Sequence, residues 1–275
     1  MSVLVVGAYG SVGSHVVTGL LSAGVPVRGS SRTPKPGLLP DAVEVVRLDL
    51  DEPATLPAAL EGVEKVFLYA SPESVDEFVG AARAAGVAHV VLLSSAAVAE
   101  PAMQHSRSAR MHSAVENALR ESGMAWTFLR PTTFASKQLA FAPAVRAGDT
   151  VRIPFLQLRT ASIHERDIAD VAAAALATAG HEEQAYWLTG PAALTQQEHI
   201  ETIGAVLGRA VDLVEVSPDD VEPPWPEFLV RTVSQLMNEP CVVTSTVEDV
   251  TGTPARTFRR WAEDHAADFN CQGEG

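Results

Sequence analysis

Across the first 130 residues, short apolar runs alternate with longer stretches whose apolar residues recur at helical spacing, the pattern of strand–helix units that pack as a parallel sheet. The strand candidates are Val3 to Val6, Val25 to Ser30, Val43 to Leu48, Lys65 to Tyr69, His89 to Leu93 and Trp126 to Leu129. Between the first two, Val12, Val16, Val17, Leu20 and Leu21 share one helical face, and Gly24 stands where a left-handed cap closes a helix. Gly62, Gly86 and Gly123 punctuate later helices in the same way, and a helix is expected from about Ser106 to Glu121.

Beyond Pro131 the rhythm loosens. Thr150 to Ile153 and Thr160 to Ile163 read as short strands, Asp167 to about Thr178 as an Ala-rich helix, and Ala185 to Leu188 as a further strand. Thr195 followed by Glu198 is a capping-box pattern opening a helix that reaches Leu207 and Gly208. Val211 to Val216 alternates like an edge strand, Pro223, Pro224 and Pro226 mark a loop, and a last helix is expected from near Pro254 past Trp261.

With 275 residues and 47% hydrophobic content, the chain buries a sizeable core. Its two cysteines, Cys241 and Cys271, lack metal-like or redox-pair spacing, which argues against a disulfide framework and for a reducing cytoplasm. No secretory leader or bilayer-spanning run is evident. A net charge of −14 repels phosphate backbones and anionic lipid, so neither nucleic acid nor membrane is an expected partner, and the chain is read as a monomer or homodimer.

Gly7, Gly10 and Gly13 follow the first strand and open the first helix, a G-x-x-G-x-x-G motif in strand–turn–helix context. Such a turn lets backbone N–H groups and the helix dipole approach a pyrophosphate where a Cβ would intrude. Tyr9, Ser11 and Val12, between the glycines, are counted with them as cofactor contacts. The second strand ends without an acid, in Arg28-Gly29-Ser30-Ser31-Arg32-Thr33-Pro34-Lys35. Arg32 suits bidentate contact with a 2′-phosphate, Ser31 offers a hydrogen bond and Lys35 adds positive potential, so NADP is favoured over NAD. The expected fold class is α/β, a Rossmann-type doubly wound parallel sheet with a smaller C-terminal substrate-binding lobe. Residues 1–130 with about 160–190 form the core; about 131–159 and 191–275 form the lobe.

Taken in order, Val5-Val6-Gly7-Ala8-Tyr9-Gly10, Val27-Arg28 with Arg32, Leu48-Asp49-Leu50, Ala85-Gly86-Val87, Ser94-Ser95, Leu129-Arg130-Pro131 and Asp167-Ile168-Ala169-Asp170-Val171 resemble the NmrA-like group of atypical short-chain dehydrogenases/reductases. Leu188-Thr189-Gly190-Pro191 and Val250-Thr251-Gly252 with Trp261 extend the resemblance over nearly the whole chain. It implies a cofactor cleft at the carboxyl ends of the strands. Asp49 and Leu50 would then lie near adenine, Ala70 and Ser71 on the ribose side, Ser94 and Pro131 along the cofactor, and Phe134 near the nicotinamide.

The usual Tyr-x-x-x-Lys pair of short-chain reductases has no counterpart in the 106–121 helix, which offers Ser108 and His112 at the equivalent spacing. A serine hydroxyl is a poor acid at neutral pH. His112 either faces the cofactor as a hydrogen-bonding group or acid, or packs on the helix beside Glu116 one turn on. Ser95 matches a position that contacts substrate or nicotinamide in the family, and also reads as a strand-end cap. His112, Ser95 and Ser108 are therefore the catalytic candidates. His164-Glu165-Arg166-Asp167 reads as a helix start rather than a metal site, with His164 facing substrate on the resemblance. Phe134, Gln138, Phe141 and Trp187, with Phe155, are candidate walls for a flat aromatic or conjugated substrate, the aromatic members serving equally as core packing. The leading expectation is NADPH-dependent hydride transfer to a quinone, enone or azo compound. The alternatives are a non-catalytic NAD(P) sensor, or a non-redox isomerase or cyclase.

Overall fold

The computed structural model describes residues 2–221 and 223–270; Cys271 lies outside them. In chain order the strands are β1 (Val3–Val5), β2 (Val27–Ser31), β3 (Glu44–Arg47), β4 (Lys65–Tyr69), β5 (His89–Leu93), β6 (Ala125–Pro131), β7 (Val151–Ile153), β8 (Arg159–Thr160), β9 (Gln184–Leu188), β10 (Leu194–Thr195) and β11 (Leu213–Glu215). The helices are α1 (Gly13–Ser22), α2 (Leu56–Leu60), α3 (Val75–Ala85), α4 (Arg107–Glu121), α5 (Ala142–Ala147), α6 (Glu165–Ala177), α7 (Gln196–Leu207), α8 (Glu227–Leu236), α9 (Thr246–Thr251), α10 (Phe258–Asp264) and α11 (Ala266–Phe269). None is long and apolar enough to cross a membrane.

The chain divides into two compact units. The first comprises Met1–Pro131, Glu165–Leu188 and Thr246–Thr253. Its 7-stranded sheet runs β3-β2-β1-β4-β5-β6-β9, and every pairing is parallel. That is the doubly wound order predicted by the alternating pattern, with Ala185 to Leu188 inserted as the strand beside β6. Leu4, Val6, Leu68, Val90, Leu92 and Phe128 bury one face of the sheet against Leu56 and Leu60 of α2, Phe78 of α3 and Val115 and Leu119 of α4. On the other face α1 packs on α6. A Cβ on Gly19 would lie 3.0 Å from that of Ala173, so the two helices approach closely. Both faces of the sheet's centre are covered, which is why β1, β4 and β5 read as near-continuous apolar runs. Helix α9, which the apolar pattern did not suggest, returns to this unit and packs against α6 and β9.

The second unit comprises Thr132–His164, Thr189–Ser245 and Pro254–Gly275. Ala135, Val145, Val151, Ile200, Ile203, Phe258, Trp261 and Phe269 form its core. The capping box at Thr195 and Glu198 is present, and Gly208 ends α7 in a left-handed conformation at φ 69. Strand β11 pairs in parallel with β7, and β10 pairs antiparallel with β8. Two expectations need correction. The last helices begin at Phe258, capped by Thr257, rather than near Pro254, because only from Phe258 do the apolar residues fall on one buried face with Trp261 and Ala262. The 160–163 strand shortens to β8, leaving Ile163 in an isolated parallel bridge with Phe134.

Candidate functional site

At the carboxyl end of β1 the chain turns on Gly7, whose φ of 74 lies in the left-handed region that favours glycine. The Gly10 N–H donates to the Gly7 carbonyl at 2.9 Å, and Ser14 N–H donates to Gly10 at 3.0 Å. A Cβ on Gly13 would lie 2.3 Å from the Gly7 oxygen and 3.0 Å from its carbon, so the first helical residue is pressed against the turn. Helix α1 starts with no capping side chain and no acidic residue in its first turn. A positive helix end free of acidic side chains and a cradle that a Cβ would fill together suit a pyrophosphate. Val12 is buried and Ser11 exposed.

The loop after β2 is exposed from Arg32 through Leu38. Ser31 Oγ accepts from Thr33 N–H at 3.2 Å, and the Tyr9 hydroxyl donates to the Lys35 carbonyl at 2.8 Å while accepting from Lys35 N–H at 2.9 Å. Across from this loop, Asp49 Oδ1 accepts from Asp51 N–H at 3.1 Å, and Asp51 receives the Ser74 hydroxyl at 3.0 Å. Ser71 donates in turn to Ser74 at 3.3 Å, which ties the loop after β4 to the one after β3. Leu50 is a core residue, 3% exposed, and Ala70 is half-buried.

Sequence reasoning missed Tyr69. It ends β4 beside the glycine turn, its ring 3.4 Å from where a Gly7 Cβ would stand, and it stays 38% exposed. Burial pushes its phenol above the usual range, opposed by the Arg32 charge and assisted by Asp49 and Asp51. Phenol, guanidinium and carboxylates therefore share one patch. The available signal was position alone, since Tyr69 immediately precedes Ala70 and Ser71.

At the ends of β5 and β6 a buried ion cluster dominates. Glu116 of α4 has no exposed side-chain surface. Its Oε1 accepts from Ser94 Oγ at 2.7 Å and Arg130 Nε at 2.9 Å; its Oε2 accepts from Arg130 at 2.6 Å and Arg120 at 3.0 Å. Burial alone would raise its pKa, but the bonds from Arg130 and Ser94 and the two guanidinium charges hold it below the usual carboxylate range. This corrects the reading that pairs His112 with Glu116, because that carboxylate is saturated from the strand side. His112 Nδ1 instead lies 2.8 Å from its own-turn Ser108 carbonyl and 3.4 Å from Ser108 Oγ. A carbonyl only accepts, so Nδ1 is the donor in that contact. Ser95 accepts from Ala97 N–H at 3.2 Å as the cap of a short helical turn, and Pro131 is buried as the last residue of β6.

Of the substrate candidates, Trp187 lies on β9 of the first unit and the others belong to the second. There, Phe134 bridges Ile163, and Ala135 N–H donates to Ile163 at 2.8 Å, which brings Phe134 alongside the segment carrying His164. His164 is buried with Nε2 at 3.4 Å from Asp264, whose other oxygen binds Arg260 at 2.8 Å. Gln138 is buried, donates to Gln196 at 3.3 Å and leaves its own carbonyl oxygen without a hydrogen bond. Phe141 is half-buried, and Phe155, at φ 57, packs against Trp225.

A family model described as NAD(P)H-binding matches residues 7–179. The chain is 40% identical to a (4-alkanoyl-5-oxo-2,5-dihydrofuran-3-yl)methyl phosphate reductase of Streptomyces griseus, over 97% of this chain and 99% of that protein. It is 36% identical to an NAD(P)H azoreductase of Xenophilus azovorans, over 98% and 99%. The crystal structure of an NADPH-dependent quinone oxidoreductase from Escherichia coli superposes with a TM-score of 0.79 at 27% identity, covering 98% of this chain and 100% of that one.

Proposed function

The chain belongs to the NAD(P)H-binding family, and from that premise we propose that it is an NADPH-dependent reductase delivering hydride to a conjugated, electron-poor small molecule of enone, quinone or azo type. The observation that carries the reading is the coexistence of a complete nucleotide cradle at Gly7–Gly13 with an α4, Arg107–Glu121, that holds neither Tyr nor Lys. Reduction of a simple ketone develops an alkoxide that needs an acid in the transition state. A conjugated acceptor spreads the incoming charge over its π system and takes its proton from solvent afterwards, so orientation suffices. The acceptors in the names of the three relatives share that chemistry.

When bound, the reduced nicotinamide supplies the hydride. The backbone of Gly7–Gly13 seats the pyrophosphate, and Arg32 and Lys35 receive the 2′-phosphate that distinguishes NADPH from NADH. Ser94, fixed on Glu116, holds the β5 end in register with β6, where Ser94 N–H donates to Leu129 at 2.7 Å. His112, with Nδ1 engaged by its own helix, keeps Nε2 for a substrate or cofactor group.

The test is fluorescence titration with NADPH and NADH, followed by absorbance at the reduced-nicotinamide band with a quinone, an enone, an azo dye and a simple ketone. Oxidation is expected with conjugated acceptors and not with the ketone. Tight NADPH binding with no oxidation by any acceptor would replace this reading with that of a nucleotide sensor.

A further inference from the structure

Tyr9 sits inside the glycine turn, whose ends are closed by the Gly10-to-Gly7 hydrogen bond, so its backbone is held by the pyrophosphate cradle. Its hydroxyl reaches 26 residues along the chain and makes both a donated and an accepted bond with the main chain of Lys35. Nothing else among the described residues ties 32–38 to the rest of the protein by a hydrogen bond; Ser31 to Thr33 is local. The segment is exposed and contains Pro34, Pro36 and Gly37, which shape it without anchoring it. Arg32 and Lys35, the two cations, therefore ride on a loop pinned at one main-chain position by one phenol.

We infer that Tyr9 is the latch that pre-organises the 2′-phosphate-reading loop, a positioning residue that sets the preference for NADPH over NADH. The inference rests on the NADPH reading above. A loop ordered before the ligand arrives loses less conformational entropy on binding. NADH carries no 2′-phosphate to meet Arg32 and so gains little from that order. Latch and cradle are joined through one residue, which makes the adenosine end sensitive to the pyrophosphate turn.

Tyr9→Phe keeps the ring and removes both bonds. It is expected to raise the NADPH Kd about tenfold, as two lost hydrogen bonds of ordinary strength imply, and to shift the NADH Kd less than about twofold. A readout independent of cofactor is trypsin cleavage after Arg32 in the free protein, expected to run several-fold faster in Tyr9→Phe. Lys35→Ala, which keeps both main-chain bonds, should leave that cleavage rate at the wild-type value. If wild-type protein binds NADH as tightly as NADPH, the NADPH reading itself falls and this inference with it. If wild type prefers NADPH while Tyr9→Phe keeps the same preference and the same cleavage rate, the latch is overturned and the reading stands.

Discussion

Gly13 faces the Gly7 carbonyl so closely that a Cβ would lie 2.3 Å from its oxygen, and the obstacle is backbone, which cannot swing aside as a side chain would. Gly13→Ala is therefore expected to destabilise the protein by roughly 1–3 kcal/mol, as overpacking does, and to weaken NADPH binding by deforming the turn. Urea unfolding and fluorescence titration measure the two effects; wild-type values in both would mean that the helix start can recede without consequence. The glycine triplet was legible because its signal is local: three residues between one strand and one helix. Tyr69 was not, although it abuts the same turn. It approaches Gly7 from β4, and only the pairing of Val5 with Phe67 sets that neighbourhood. His112 shows the same limit in reverse. Helical spacing put Glu116 within its reach, and a bond from Ser94, 22 residues away in sequence, together with Arg130 claimed the carboxylate.

Helix α4 is held to the sheet by an apolar stripe and by that buried charge. Val115 and Leu119 are fully buried, and Glu116 between them takes its counterions from Arg130 on β6 and from Arg120. The Arg120 guanidinium also lies over the stacked Trp126 and Phe128 rings, at 5.2 and 4.7 Å. Removing Arg130 leaves the buried carboxylate with Arg120 and Ser94 as its remaining partners, so Arg130→Met is expected to cost up to about 3 kcal/mol, the low end for a broken buried pair. Glu116→Gln, which retains the shape and removes the charge, is expected to cost less. In Glu116→Gln/Arg130→Met the two losses should fall short of their sum, the mark of direct coupling. Urea denaturation of the four proteins provides the cycle, and strict additivity would show that the cluster contributes no coupling. At this scale the regular elements were readable from periodicity, and α7 even from its capping box. Helices α8 and α9 were not, since each buries little of its own surface and Val233 and Val247 are their only buried residues.

His89 in the first unit and His199 in the second, both buried, are expected to make the protein acid-sensitive. Burial, with the nearby Lys65, lowers His89 to about 4; burial also lowers His199 to about 4, opposed by the nearby Thr195 main chain and the charge of Glu198. The unfolded chain takes up these protons near the ordinary 6.5, and the folded chain only near 4. Stability is therefore fully present above pH 6.5 and is lost as the pH falls through that window toward 4, by up to roughly 3 kcal/mol per histidine. The urea midpoint should decline steadily from pH 7 to pH 5, and a flat profile would overturn the assignment. The sequence by itself determined the parallel αβ alternation, the glycine cradle and the cationic loop after β2, because these depend on neighbours within a turn or a strand. Tertiary structure alone decided that β9 extends the sheet beside β6, that Thr246–Thr253 belongs to the first unit, that Glu116 answers to Arg130, and that Tyr9 grips Lys35. Each is a contact between groups distant in sequence, and such contacts are chosen by which surfaces remain to be buried and which polar groups remain to be satisfied once the local elements have formed.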